Sequence, residues 1–149
     1  MGLPYENTTS GKGAIDEIQR ILKKFECQSF GYMEDFENKK LLVQFKYRNV
    51  PISLEASMAG YAAAWLKEHP YNYRTRGAQK DHEKRALKIA STAVYSVLRD
   101  WIKGQVTAVE CGFLSFEGAF LGQILLPSGG TVLQHVQQSN LLMIGNRNG

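Results

Sequence analysis

Cysteine, proline and long apolar runs are scarce in this sequence. The 149 residues include only two cysteines and four prolines. Cys27 and Cys111 lie far apart without a partner at metal-ligand spacing, so we expect free thiols rather than a disulfide framework. No apolar run approaches the roughly 18 to 20 residues that cross a bilayer, and the N-terminus lacks the regions of an export signal. We therefore expect a cytoplasmic protein without a membrane segment.

Catalytic and metal-binding motifs are missing as well. The three histidines, His69, His82 and His135, lie in separate contexts, and none has a cysteine, histidine or carboxylate at ligand spacing. A nucleophile and base could still meet in three dimensions, with Cys111 or Ser115 as the nucleophile and a distant histidine as the base. The sequence itself predicts a non-enzymatic protein that needs no metal and no cofactor.

The composition is that of a globular protein. Hydrophobic residues make up 44% of the chain and charged residues 21%, which is outside the range of disordered chains. At this length one domain is expected, over residues 1–149. Within it we predict an irregular arm over 1–12, a helix with three strands and a short helix over 13–69, and a helical half over 70–149. This segregated order predicts an α+β fold.

Hydrophobic periodicity predicts the individual elements. Apolar residues recur at three- and four-residue steps from Ala14 to Phe25, which indicates an amphipathic helix. The segments "SFGYME", "KLLVQFKY" and "VPISLEA" are rich in β-branched and aromatic residues. They indicate a three-stranded antiparallel meander whose third strand is an edge strand or begins at Pro51. The predicted short helices are Ala59–His69, "FEGAFLGQIL" capped by Ser115, and "TVLQHVQQ" opened by Thr131.

A long helix is the strongest pattern in the chain. Helical periodicity continues from Gln79 to Cys111, which is about 50 Å at 1.5 Å per residue, and Gly112 is placed to end it. A sheet with strands about 17 to 20 Å long covers only part of such a helix. We therefore predict a homo-oligomer in which part of the apolar stripe forms the contact between copies. The predicted contact residues are Leu87, Val94, Leu98 and Trp101.

Positive charge is concentrated in the segment from Tyr71 to Lys88. Its six basic and two acidic residues give an excess of +4, which equals the net charge of the whole chain. The basic residues continue along one flank of the long helix. Such a surface attracts phosphates, and tyrosines beside arginines can stack on unpaired bases. Alternatively, Asp81 and Glu83 form ion pairs with the neighbouring basic residues, and the segment is only a solvated helix face. The predicted binding residues are Tyr71, Tyr73, Arg74, Arg76, Lys80, Lys84, Arg85, Lys88, Arg99 and Lys103.

The block "VLRDWIKGQVTAVECGFLSFEGAFLGQILLPSGGTV" resembles the second half of an uncharacterised family of small phage and prophage proteins. In that family a long helix ends in an alanine-valine-glutamate-x-glycine turn, before a Phe-Glu helix and an LP-x-G-x-T turn. The start "TTSGKGAIDEIQRIL" and the strands after it are also similar to the family, while Gly118 and Gly129 depart from its pattern. The matching residues are Ala108, Val109, Glu110, Gly112, Phe116, Glu117, Leu126, Pro127, Gly130, Thr131 and Val132. The resemblance implies a phage or mobile-element origin and brings no known activity. With that origin, the expected cytoplasmic location is the cytoplasm of a host cell.

Three functions from different classes fit these observations. The first is an accessory protein that binds an anionic partner, above all nucleic acid, through the basic loop and helix flank. The second is a protein-binding inhibitor of a host or anti-phage defence enzyme. The third is a binder of a phosphorylated nucleotide at a subunit interface.

Overall fold

A computed structural model of the chain describes residues 2–140. The elements are α1 (Gly11–Lys24), β1 (Ser29–Asp35), β2 (Lys40–Tyr47), β3 (Val50–Ser57), α2 (Met58–Glu68), α3 (Gln79–Glu110), α4 (Phe116–Phe120), a 3₁₀ turn (Leu121–Gln123) and α5 (Val132–Ser139). This order confirms the predicted α+β fold with an N-terminal helix, a three-stranded antiparallel sheet and one long helix. The tail, whose role the sequence left open, lies outside the described residues after Asn140.

The sheet is an antiparallel meander in the order β1-β2-β3. Along β2, Leu41, Val43 and Phe45 are buried while the residues between them are more exposed, because successive side chains of a strand point to opposite faces. β2 and β3 are joined by the two-residue turn Arg48-Asn49, in which both residues have positive φ, +48° and +66°. Such turns match the twist of antiparallel strands. As predicted, the strand that contains Pro51 lies at an edge of the sheet.

α3 forms the centre of a helical layer that covers one face of the sheet. α1 and α2 both pack along it. Alanines on α3, among them Ala86, Ala90 and Ala93, are fully buried, and their small side chains let neighbouring helices approach closely. The buried residues of α1, α2, α3, α4 and the inner face of the sheet belong to one hydrophobic core. This two-layer arrangement buries both the helical stripe and the sheet face.

The prediction of an uncovered apolar stripe on α3 is wrong for two of its four residues. Val94 and Leu98 are only 7% and 5% exposed within a single chain, and Leu87 and Trp101 are half-buried against the same core. The sequence argument assumed that mainly the sheet would cover the apolar stripe of α3. In the structure α1 and α2 also pack against α3 and bury part of that stripe. Burial within one chain leaves less of this stripe for a contact between copies than expected, and the homo-oligomer itself stays a prediction.

Capping residues fix three helix ends where the sequence predicted them. The hydroxyl of Ser115 accepts the N–H of Gly118 at 2.9 Å, Thr131 and Gln134 form a reciprocal capping box, and Gly112 ends α3 with φ at +81°. The segment "FEGAFLGQIL" is less helical than predicted. Its last residues leave the helix because Ile124 pairs with β3 as an extended bridge.

The N-terminal arm is shorter than predicted, because α1 begins at Gly11, and the arm is tied down. The hydroxyl of Tyr61 in α2 donates to the Pro4 carbonyl at 2.6 Å. The hydroxyl of Ser96 in α3 is fully buried and lies 3.1 Å from each of the hydroxyls of Thr8 and Ser10. A buried hydroxyl is costly without a partner, so these contacts hold the arm across α2 and α3.

Glu6 makes the arm sensitive to pH. Its carboxylate accepts the N–H of Leu3 at 2.6 Å and lies 3.1 Å from Nε2 of His69. These two contacts lower the pKa of Glu6 below its ordinary value of 4.5. Because the pKa of this carboxylate is lower in the folded than in the unfolded state, its charge stabilises the fold at pH values above the unfolded-state pKa. This stabilisation is lost as the pH falls through the folded-state pKa.

We therefore expect Glu6→Gln to lower the free energy of unfolding at pH 7. The difference from the unaltered protein should shrink as pH falls below 4.5. Urea titrations at a series of pH values measure this, with Glu37→Gln in the exposed β1–β2 loop as the control. A difference that stays constant down to the lowest pH would show that the carboxylate charge plays no part.

Candidate anion-binding surface

The loop between α2 and α3 is ordered by its own polar groups. Thr75 donates its N–H to the Asn72 carbonyl at 2.9 Å, and the Asn72 side chain accepts the N–H of Arg74 at 2.9 Å. Gly77 has φ of +78°, a conformation that favours glycine, and an added Cβ would lie 3.1 Å from Oδ2 of Asp81. These contacts fix the direction of the loop as it enters α3.

Tyr73 and Arg74 stand together at the tip of this loop. Tyr73 is 88% exposed, the most exposed of the large apolar side chains in the described residues. The guanidinium of Arg74 lies 5.4 Å from the centre of its ring, and Nε donates to the Tyr73 hydroxyl at 3.1 Å. An exposed ring beside a guanidinium is the combination that stacks on bases and contacts phosphates in proteins that bind single strands.

Tyr71 is held more closely to the protein than Tyr73. Its hydroxyl donates to the Gly77 carbonyl at 2.9 Å, and its ring centre lies 5.8 Å from that of His82. The side chain is 39% exposed. Tyr71 thus braces the loop against the start of α3, and Tyr73 is the tyrosine of the pair that presents an open ring.

His69 and His82, which the sequence placed in unrelated contexts, meet where α2 ends and α3 begins. His82 is 5% exposed, and its Nε2 lies 2.6 Å from the His69 carbonyl, so Nε2 carries the hydrogen. Arg85 approaches Nδ1 of His82 at 3.3 Å, which makes that nitrogen the acceptor. Arg85 also donates to the Arg76 carbonyl at 3.2 Å. The His82 ring thus orients Arg85 toward the loop, and no sequence spacing signals this contact.

Lys80, Lys84 and Lys88 form a row on the first turns of α3. They are four residues apart, so they share one face and lie about 6 Å from one another along the helix axis. All three are exposed. Asp81, which follows Lys80, accepts the N–H of Ala78 at 3.3 Å and so caps the helix. Within residues 2–140, no carboxylate oxygen lies within 4.0 Å of these amines.

Arg99 does not extend this row, which corrects the prediction. It is paired with Asp100 at 2.9 Å and with Glu17 of α1 at 3.7 Å. The hydrogen bond that Arg99 donates to Asp100 raises the pKa of Arg99 further, so the guanidinium charge is permanent and compensated. Lys103 is exposed but lies about 22 Å beyond Lys88 along the axis. The basic surface defined by the structure comprises Tyr73, Arg74, Arg76, Lys80, Lys84, Arg85 and Lys88.

Other reactive groups lie away from this surface. Cys27 and Cys111 are free thiols, and burial raises the pKa of Cys27 to about 11, which leaves it protonated at neutral pH. In the part of the chain that the structure describes, no three histidine, cysteine or acidic side chains are grouped for a metal ion. None of the described helices has both the length and the apolar character of a transmembrane segment.

Comparison with protein-family models, curated proteins and solved structures finds no match to this chain. The resemblance to small phage proteins therefore stays a prediction.

Proposed function

We propose that the protein is a non-enzymatic accessory protein that binds nucleic acid through the basic surface. The proposal rests on the absence of ion pairs on this surface. Among the described residues, none of the six cationic side chains of the basic surface has a carboxylate within 4.0 Å. Phosphates neutralise such a cluster and release their condensed counterions, which favours binding. A solvated face with local ion pairs would have used Asp81 and Glu83. Asp81 caps the helix instead, and neither carboxylate lies within 4.0 Å of these cationic groups.

The shape of the surface favours a polymer over a single nucleotide. Small ligands occupy concave sites that bury most of their surface. The basic surface consists of exposed side chains on a loop and a convex helix, and none of its residues lines either cavity found in the described part of the chain. A row of amines about 6 Å apart suits successive phosphates of an extended chain. The phage resemblance would place this activity in the cytoplasm of the host.

Fluorescence anisotropy tests the proposal directly. Labelled single-stranded DNA, duplex DNA and single-stranded RNA of one sequence are titrated with the protein at salt concentrations between about 50 and 200 mM. We expect the logarithm of the affinity to fall linearly with the logarithm of the salt concentration. Absence of binding at the lowest salt, or affinity independent of salt, would contradict the proposal and favour the protein-binding alternative.

Tyr73 and Tyr71 should differ in their contributions. Tyr73→Ala is expected to weaken single-strand binding by about 1 to 3 kcal/mol, the value of one stacked base, and to change duplex binding little. Tyr71→Phe removes the hydroxyl contact to the Gly77 carbonyl and leaves the ring. The loss of affinity should therefore be smaller than for Tyr73→Ala, and it should be the same for single strands and duplexes. Phe36→Ala is the matched control, since Phe36 is 80% exposed and lies in the β1–β2 loop. Equal losses for Tyr73→Ala on single strands and duplexes would exclude stacking.

A further inference from the structure

A deep groove runs along the outer edge of β3, away from the basic surface. Its volume is about 870 Å³. One wall is β3 itself, the floor is the middle of α3, and the opposite wall is formed by the chain from Gly122 through α5. Of the described residues that line it, Glu55 is the only one with a charged side chain. The groove is therefore unsuited to phosphates and chemically distinct from the proposed nucleic-acid site.

The two sides of the groove differ in polarity. Val97, Leu98 and Trp101 of α3 form an apolar floor, whereas Gln134 and Gln137 of α5 offer amides. Val97 is 39% exposed and Leu133 is 43% exposed. Apolar side chains in a concave site are typical of ligand and peptide grooves. An occupant would need apolar groups on the side facing α3 and polar groups on the other.

The edge of β3 offers the groove a row of backbone hydrogen-bonding groups. In an antiparallel ladder, residues alternate between directing their N–H and C=O toward the partner strand and away from it. Leu125 donates its N–H to the Pro51 carbonyl at 2.9 Å from the side opposite β2. Ser53 and Glu55, two and four residues further on, therefore direct their backbone groups outward as well. The Ile52–Ile124 bridge takes up this edge next to Ser53, so Glu55 is the residue whose outward backbone groups have no bonding partner among the described residues.

We infer that this groove binds an extended segment of a partner polypeptide, which adds to β3 as a fourth strand. The Ile124–Leu125 segment already pairs with this edge at one end, so an added strand would continue an existing pairing. Main-chain bonds to Glu55 would hold the segment, and β-branched or aromatic side chains at alternate positions would contact Val97 and Trp101. The Glu55 carboxylate is already paired with Lys40 at 3.3 Å, and no other charged side chain of the described residues lines the groove, which favours a neutral, apolar segment.

A second copy of this chain fits the groove less well. A second copy that paired through the edge of its sheet would also bring its own helical layer, which lies about 10 Å from that sheet. The groove leaves no room for this layer, because α5 closes its far side. Pairing of β3 with the β1 edge of another copy is a head-to-tail contact, which forms a ring or an open filament and not the common two-fold dimer. A single extended strand meets neither obstacle.

The test uses the full-length protein and fluorescein-labelled octapeptides with Val, Ile, Phe or Tyr at alternate positions and Thr between them, flanked by lysine. We expect at least one peptide to bind in a titration followed by anisotropy. Methylation of the backbone nitrogens on one set of alternate residues should abolish binding, and methylation of the other set should not, because only one set faces β3.

Two matched pairs of protein variants locate the site. Glu55→Pro removes the outward N–H and leaves the ladder to β2 intact, as Pro51 does four pairs away. Glu55→Ala keeps the N–H and removes the same carboxylate, with its ion pair to Lys40. We expect about a tenfold weaker peptide affinity for Glu55→Pro than for Glu55→Ala. Val97→Lys should abolish binding. Leu121→Lys should not, since Leu121 is 54% exposed and does not line the groove.

Several results would overturn the inference. The first is that none of the peptides binds, and the second is that Glu55→Pro and Glu55→Ala bind the peptide with equal affinity. The third is self-association of the free protein that Val97→Lys abolishes, because this would identify a second copy as the occupant. Tighter peptide binding after Leu141→Asp and Leu142→Asp would identify the chain's own C-terminus as the occupant. Nucleic-acid affinity should be unchanged in Glu55→Pro and Val97→Lys, so this inference and the proposed function fail or succeed separately.

Discussion

Simultaneous replacement of Arg74, Arg76, Lys84 and Lys88 by alanine is expected to weaken nucleic-acid binding by about a hundredfold or more near physiological salt. The loss should be the same for every sequence, because phosphate contacts carry no sequence information. If each side chain neutralises one phosphate, the slope of log affinity against log salt should become shallower by about 3 to 4. The measurement is the anisotropy salt series, made on the unaltered protein and the variant side by side.

The matched control removes the same charge from another helix. Lys12, Arg20, Lys23 and Lys24 are exposed residues of α1, and their replacement by alanine lowers the net charge by the same amount. This control should lose little affinity and keep most of the salt slope, because long-range attraction is screened beyond about 10 Å at 0.1 M salt. An equal loss in both variants would mean that net charge, and not the basic surface, governs binding. An unchanged slope in the first variant would refute the proposed site.

The main elements of the fold could be predicted because their signals are local. The helical pattern from Gln79 onward is long and unbroken, and the structure ends α3 one residue before the predicted Cys111. The alternation along β2 and the caps at Ser115 and Thr131 are also local signals, and each is confirmed. Hydrophobic period and capping chemistry act over a few residues, so a single sequence contains them.

The features that escaped prediction depend on long-range contacts. Arg99 carries the charge expected of the basic flank, yet Glu17, 82 positions earlier in the sequence, helps to neutralise it. Ser96 looks like a polar residue on a helix surface, and it is fully buried because Thr8 and Ser10 satisfy it. No periodicity encodes such pairs. The candidate basic surface could be predicted as a charged segment, while the role of His82 in orienting Arg85 could not.

Phe120→Ala is expected to be the most destabilising single substitution considered, with a loss of about 3 to 5 kcal/mol in the free energy of unfolding. Phe120 is fully buried. Its ring meets those of Phe45 and Trp101 edge-on, at 5.6 and 5.7 Å between centres, and lies 5.2 Å from that of Phe116. The substitution would leave a cavity between the sheet, α3 and α4. Since domains of this kind are stable by about 5 to 15 kcal/mol, a large share of the total would be lost.

The same variant tests whether residues 1–149 fold as one domain. Phe45 belongs to the N-terminal half and Phe120 to the helical half, and both lie in one hydrophobic core. Urea unfolding followed by tryptophan fluorescence and by far-UV circular dichroism should give coincident transitions, both shifted to lower urea. Phe113→Ala is the control, because Phe113 is 71% exposed and should change the stability by less than about 0.5 kcal/mol. Two separated transitions, or a loss below about 1 kcal/mol for Phe120→Ala, would show that the helical half is stable without the sheet. The predicted single domain would then be wrong.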